Sequence, residues 1–255
     1  MLLFKYELRN ALRSKWLYTY AALLFATCCG LIYIVDDFRK AIISLSSVLL
    51  VIVPLVSILF TVSYWYSAEA FTTTLLSQPV SRCRVYFARV CALIVALIAS
   101  VICGVAIPAL LFGINDSSLL WLLSISSAAA AVFCMLGTVI ATRLTDRMWG
   151  TGLALAMWLY LVVLHDGLVL LLLYWFRDYP SDSLSIFLCA LNPVDLFRVT
   201  LLMHFDAPLL LGHAGAMIRK SVEAGSAFYG CFGVMLIWLI LPAYWGWRKF
   251  LRRDF

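Results

Sequence analysis

The sequence predicts an all-α, polytopic membrane protein with six transmembrane helices, and three observations predict it. Of 255 residues, 65% are hydrophobic and 13% are charged, against roughly 45–50% and 25% in a soluble domain. The mean hydropathy is +1.01, and a core of this size cannot hide such an excess, because much of any folded surface still faces water. The apolar residues also come in continuous runs of about 20, the length of helix that crosses a bilayer. A membrane barrel would alternate apolar and polar residues instead. The same composition excludes a disordered chain. Of the eight cysteines, Cys28, Cys29, Cys91, Cys103, Cys134 and Cys231 lie inside apolar runs and no CxxC spacing occurs, so they read as small packing residues rather than a disulfide or zinc set.

The elements follow in order. Residues 1–15 form an N-terminal amphipathic interface helix, with Leu3, Phe4, Leu8 and Leu12 on one face and Lys5, Arg9 and Arg13 on the other. The alternative is the start of a long, tilted first span. The six spans run at about 16–35, 41–65, 86–112, 119–142, 149–176 and 225–247, with Pro54, Pro108 and Pro242 inside the second, third and sixth. Tryptophans such as Trp16, Trp65, Trp149 and Trp175 sit near span ends, where indole rings favour the headgroup layer. Ser124, Ser127, Ala128 and Ala131 offer the fourth span a small-residue stripe for close packing. Residues 177–224 make one extracytoplasmic insertion, with apolar patches at 184–191, 196–203 and 207–218 too short to span. They read as short helices between spans five and six, lying on or just outside the membrane or dipping into its edge.

Orientation follows from the basic residues. Thirteen of the nineteen lysines and arginines fall on the side of the two termini. The positive-inside rule puts both termini in the cytoplasm of a multi-pass inner-membrane protein.

Little catalytic chemistry is available. There is no GxxxxGK[ST] phosphate loop, no HExxH and no GxSxG. No cluster has metal-ligand spacing, so no metal or catalytic residue is expected. Nothing points to nucleic acid.

Three segments carry functional expectations. The loop 67–84 begins with helical composition from Glu69 and is stopped by Pro79. A short helix and turn there suit the docking of a soluble motor, and also suit an ordinary loop with basic anchors. Asp166 lies in span five, about ten residues and so roughly 15 Å from its outer end. An acid at that depth is a functional candidate by default, with a hydrogen-bonded helix contact as the alternative. His165 beside it points about 100° away around the helix. In the insertion, Asn192, Asp195 and Arg198 read as helix-capping residues, with Pro193 at the first helical position, or as a platform for an extracytoplasmic partner.

The run EAFTTTLLSQPVSR at 69–82, behind an amphipathic first helix and two spans, resembles the type-2 family of ABC transporter permeases. LNPVDLFRV at 191–199 resembles, within that family, the permeases of the nitrous-oxide-reductase maturation system. The resemblance implies one permease domain over 1–255, acting as a homodimer with two cytoplasmic ATPases. ATP and Mg would be bound by those ATPases and no cofactor by this chain. It makes Glu69, Phe71, Leu75, Gln78 and Pro79 the coupling helix and its turn: Glu69 would pair with a base of the ATPase, and Phe71 and Leu75 would insert. Arg82 and Arg84 would contact lipid phosphates or stabilise the loop. Asp166 and His165 become transport-path candidates. Asn192, Asp195 and Arg198 become candidate contacts for a periplasmic accessory protein. The function implied is export or force transfer for copper-site maturation of nitrous-oxide reductase. A general exporter of drug, lipid or peptide stays open, as does a membrane-embedded enzyme or redox subunit using His165 and Asp166.

Overall fold

The computed structural model describes residues 2–35, 38–113, 117–175, 187–204 and 226–252. The helices are α1 (Leu2–Leu12), α2 (Lys15–Ile34), α3 (Phe38–Ser67), α4 (Glu69–Leu76), α5 (Arg82–Leu111), α6 (Ser117–Arg143), α7 (Arg147–Leu159), α8 (His165–Trp175), α9 (Pro193–His204) and α10 (Ser226–Leu251). A π-helical turn, Tyr160–Leu164, joins α7 to α8. Among the described residues, six stretches are long and apolar enough to cross a membrane: Lys15–Ile34, Lys40–Ser67, Arg82–Leu111, Ser117–Arg143, Arg147–Trp175 and Gly230–Leu251. They match the six expected spans, and six crossings return the C-terminus to the side of the N-terminus. Both α1 and α4 lie on that side, and the end of α8 lies on the other.

Local chemistry sets the boundaries. Ser14 and Ser81 adopt extended backbone just ahead of α2 and α5, and Asp146 starts α7 by accepting from the Met148 amide at 2.8 Å. Pro54, Pro108 and Pro242 are all tolerated inside helices, as neighbouring spans permit in a bundle.

The bundle centre is α6, which packs on α3, α10 and α5, while α2 packs on α5. Two glycines set the closest approaches. A Cβ at Gly137 of α6 would lie 2.9 Å from the Ile58 carbonyl oxygen of α3, and one at Gly104 of α5 would lie 2.6 Å from Leu24 Cβ of α2. Without a hydrophobic force between spans, such contact is what holds them. The stripe expected on α6 is displaced. Ser124 is exposed and Ser127, Ala128 and Ala131 are half-buried, whereas Ser126, Ala129, Ala130 and Gly137 are buried. Several helices surround α6, so its small residues serve several faces.

Two further expectations change. The buried side of α1 is Glu7 and Ala11, while Leu12 stays exposed. Leu3 and Leu8 are half-buried against the core, so the helix packs through apolar residues with the acid Glu7 buried among them. In the insertion, α9 is no surface helix: Val194, Leu196, Phe197, Val199 and Leu201 are all buried, and the helix packs against α6, α3 and α10. Five apolar residues at these spacings cover most of its circumference, which a helix lying on the membrane surface could not bury. The patch at 207–218 and residues 184–186 of the patch at 184–191 lie outside the described residues.

Candidate functional site

The π-helical turn prepares the site. Widening the helix at Tyr160–Leu164 disturbs the regular i to i−4 ladder, and the Leu161 carbonyl accepts from Asn192 Nδ2 at 2.8 Å. Asn192 is completely buried. Its Oδ1 accepts from the Val194 amide at 3.0 Å, so the residue caps α9 and ties it to span five at once. Pro193, at the first helical position, gives up no needed donor there.

Asn192, Asp195 and Arg198 step along one side of α9 at three-residue intervals, and that side faces span five. Asp195 Oδ2 lies 3.0 Å from His165 Nδ1 and 3.0 Å from Asn192 Nδ2. One proton assignment satisfies the shared oxygen: His165 Nδ1–H donates to Asp195 Oδ2, and the Asn192 amide donates to Asp195 Oδ2 and to Leu161. One turn on, Arg198 Nη1 donates to Asp166 Oδ2 at 2.8 Å and lies 3.5 Å from Asp195 Oδ1. His165 and Asp166 diverge around their own helix, but α9 is long enough to meet both. The transport-path and partner-contact candidates are thus one network.

Its electrostatics are uneven. Burial, then the charge of Asp166, pushes the Asp195 carboxyl up to about 6, with Arg198 acting the other way. Asp166 and Arg198 each keep 38% of their side chains exposed. They border a cavity of about 240 Å³ between α8 and α9, which Cys189, Val169, Leu170 and Val199 also line. A partner at this surface would meet Arg198 and Asp166. Asp195, 14% exposed, also lines this cavity, while Asn192 is completely buried with its amide on span five. His165, Asp166 and Asp195 bring ligand atoms within 4.8 Å of one another. The place between the two carboxylates is taken by the Arg198 guanidinium, whose charge already compensates one of them.

At the opposite end, Glu69 to Leu76 form α4 as expected. Phe71 is exposed and stacks on Tyr6 of α1, with ring centroids 5.1 Å apart. Thr72 is buried, and Leu75 turns toward the core. The open face consists of Ala70, Phe71, Thr73, Thr74, Ser77, Gln78 and Pro79, so it carries hydroxyls and an amide beside one aromatic ring. Glu69 is half-buried at the start of the helix. Arg82 donates to the Leu251 carbonyl at 2.9 Å, satisfying the end of α10, and Arg84 donates to Ser81 Oγ at 2.8 Å. Both stabilise the loop.

Sequence reasoning missed the strongest polar contact. Arg89 does not belong to the loop. It is buried two turns inside α5, where Nε and Nη2 reach Glu7 Oε1 at 3.1 and 3.0 Å. Tyr64 of α3 donates to Glu7 Oε2 at 2.6 Å, and the guanidinium lies 4.8 Å from the centre of the Trp65 ring. The signal was present as a lone acid among the bases of α1 and an arginine beyond the start of an apolar run.

No family model matches the chain. It is similar to two proteins, each named "Probable ABC transporter permease protein NosY". The one from Pseudomonas aeruginosa is 26% identical over 79% of this chain and 80% of its own length. The one from Stutzerimonas stutzeri is 25% identical over 94% of this chain and 91% of its own length. These relatives agree with the resemblance drawn from the two sequence motifs.

Proposed function

We propose that the chain is the membrane-spanning permease subunit of an ABC transporter. In this reading it couples ATP hydrolysis by a separate cytoplasmic ATPase to export or force transfer across the bacterial inner membrane, in support of copper-site maturation of nitrous-oxide reductase. The observation that carries the reading is the likeness to named permeases along nearly the whole chain. It supports a transporter subunit rather than an enzyme, and in this reading ATP and Mg are held by the ATPase.

The geometry supplies a route for force. An ATPase seated on the open face of α4 would push on Phe71 and, through the stack, on Tyr6. The Glu7–Arg89–Tyr64 contacts then bind α1 to α5 and α3. A displacement at α4 is therefore delivered to three helices as a rigid body rather than absorbed in a loop. At the far end the His165–Asp195 and Asp166–Arg198 contacts hold α9 to span five, so movement of that span carries α9 with it. A second copy of the chain would complete the complex, and a periplasmic partner would engage the Arg198 side.

The test is reconstitution with the ATPase encoded beside this chain. The chain alone should hydrolyse no ATP, and the pair should. Glu69→Arg and Phe71→Asp should each weaken the complex while the chain still inserts. A complex that forms normally with both substitutions would remove α4 as the coupling helix. Copurification with a periplasmic protein of the copper-enzyme pathway would support the maturation role; a stimulated ATPase that responds only to a drug, lipid or peptide would replace it with general export.

A further inference from the structure

On the N-terminal side of the bundle, a cavity of about 300 Å³ opens where the turn between α1 and α2 meets α3 and the start of α7. Arg13 and Arg147 border it from opposite elements, and no acidic residue lines it among the described residues. The nearest acid in sequence, Asp146, spends its carboxylate on the Met148 amide. Between the arginines stand the hydroxyls of Ser14 and Ser63. Trp16, 60% exposed in the first turn of span one, forms one rim. The floor is Phe60, seven residues inside the end of α3 and so roughly 10 Å deeper than Ser67.

Those features specify an occupant. Two guanidiniums without a lining acid call for an anion, and paired arginines and hydroxyls suit phosphate oxygens. An indole at the rim marks the headgroup layer. A floor reaching about two turns into a span lies below any soluble protein docked on the surface, but at the depth of the glycerol and first acyl carbons of a lipid. Basic pockets between spans are how membrane proteins select anionic headgroups. We infer that this cavity is a binding site for the phosphate headgroup of an anionic phospholipid, held between Arg13 and Arg147 in the leaflet on the N-terminal side. Because Arg13 follows α1 directly, the lipid would brace the helix that contacts α4.

The test uses the full chain, purified and delipidated, with native mass spectrometry in defined mixtures of phosphatidylglycerol and phosphatidylcholine. The expected result is retention of phosphatidylglycerol in preference to phosphatidylcholine. Arg13→Ala with Arg147→Ala should weaken that retention by roughly thirtyfold, since each base at an anionic lipid surface contributes about a fivefold. Both residues are exposed, so the variants should fold. Arg252→Ala, outside the cavity, should change nothing. Equal retention of both lipids, or an unchanged double variant, would overturn the inference. Competition by soluble glycerol phosphate as strong as by the lipid would assign the site to a free phosphate compound instead. Loss of ATPase binding in the double variant, with lipid retention intact, would make the two arginines a protein contact and also overturn it.

Discussion

Replacing Arg89 by methionine should be among the most damaging single substitutions in the chain. The Glu7 and Arg89 side chains are 2% and 1% exposed. Glu7 accepts from Arg89 Nε and Nη2 through one oxygen and from Tyr64 through the other. Removing the guanidinium strands a buried carboxylate with one neutral donor, and breaking such a pair from one side costs about 3–5 kcal/mol. Glu7→Leu strands the guanidinium in the same way. Its remaining contact with Trp65, at 4.8 Å, is a cation–π interaction worth only about 2 kcal/mol when desolvated. The double variant Glu7→Leu, Arg89→Met removes both charges. Tyr64 can then turn to the Glu7 carbonyl, which already lies 3.4 Å from its hydroxyl. The double variant should therefore lie within about 1–2 kcal/mol of the parent.

The assay is a double-mutant cycle on the purified chain in lipid nanodiscs, read by thermal or denaturant unfolding. The expected coupling energy is at least about 3 kcal/mol. Single substitutions that cost less than about 1 kcal/mol, or that simply add, would refute the reasoning. The charges would then be reached by water, and α1 would be held by its apolar contacts alone.

Other perturbations test other parts. A cysteine placed at position 182, in a background without native cysteines, should be labelled from outside and one at position 82 should not; the opposite pattern would reverse the orientation. Asp166→Leu should abolish transport while leaving expression intact, and Asp166→Asn, if active, would mean that polarity suffices there; full activity of the leucine variant would make Asp166 structural. Gly137→Leu should prevent stable folding, because a side chain would meet the α3 backbone at 2.9 Å, and a normal unfolding profile would contradict that close approach. The Asp195 carboxyl, raised by burial and Asp166 to about 6 from an ordinary 3.8, contributes stability below its unfolded value that is lost as pH rises through about 6. Relative to Asp195→Asn, the parent should therefore lose thermal stability between pH 4 and pH 7, and a constant difference across that range would exclude the shift.

The six spans were legible because bilayer crossing imposes one requirement on every residue of a run, and composition reports it directly. The helix α4 was legible for a local reason: Glu69 opens it and Pro79 stops it. What composition could not report was pairing. Arg89 looks like a loop anchor until α1 is laid against α5, and only then does the lone acid at Glu7 find it. Likewise Ser126 rather than Ser124 faces the bundle, because the choice of buried face depends on which helices surround α6. A single span's sequence carries no record of its neighbours.

The polar network between span five and α9 shows how the remaining information was split. Asp166 alone reads as an expensive charge, and Asn192, Asp195 and Arg198 alone read as caps on an external helix. Their costs cancel only together: Arg198 offsets Asp166, Asn192 satisfies the carbonyl at the π-helical turn, and His165 donates to Asp195. The three-residue spacing of 192, 195 and 198 was the visible clue. A helix exposed to water needs no such polar stripe, whereas one inserted among spans must aim every polar group at a partner. The same requirement explains why α9 is apolar on its other sides and sits within the bundle. It also ties α9 to span five, which it cannot leave without exposing two carboxylates and a buried amide at once.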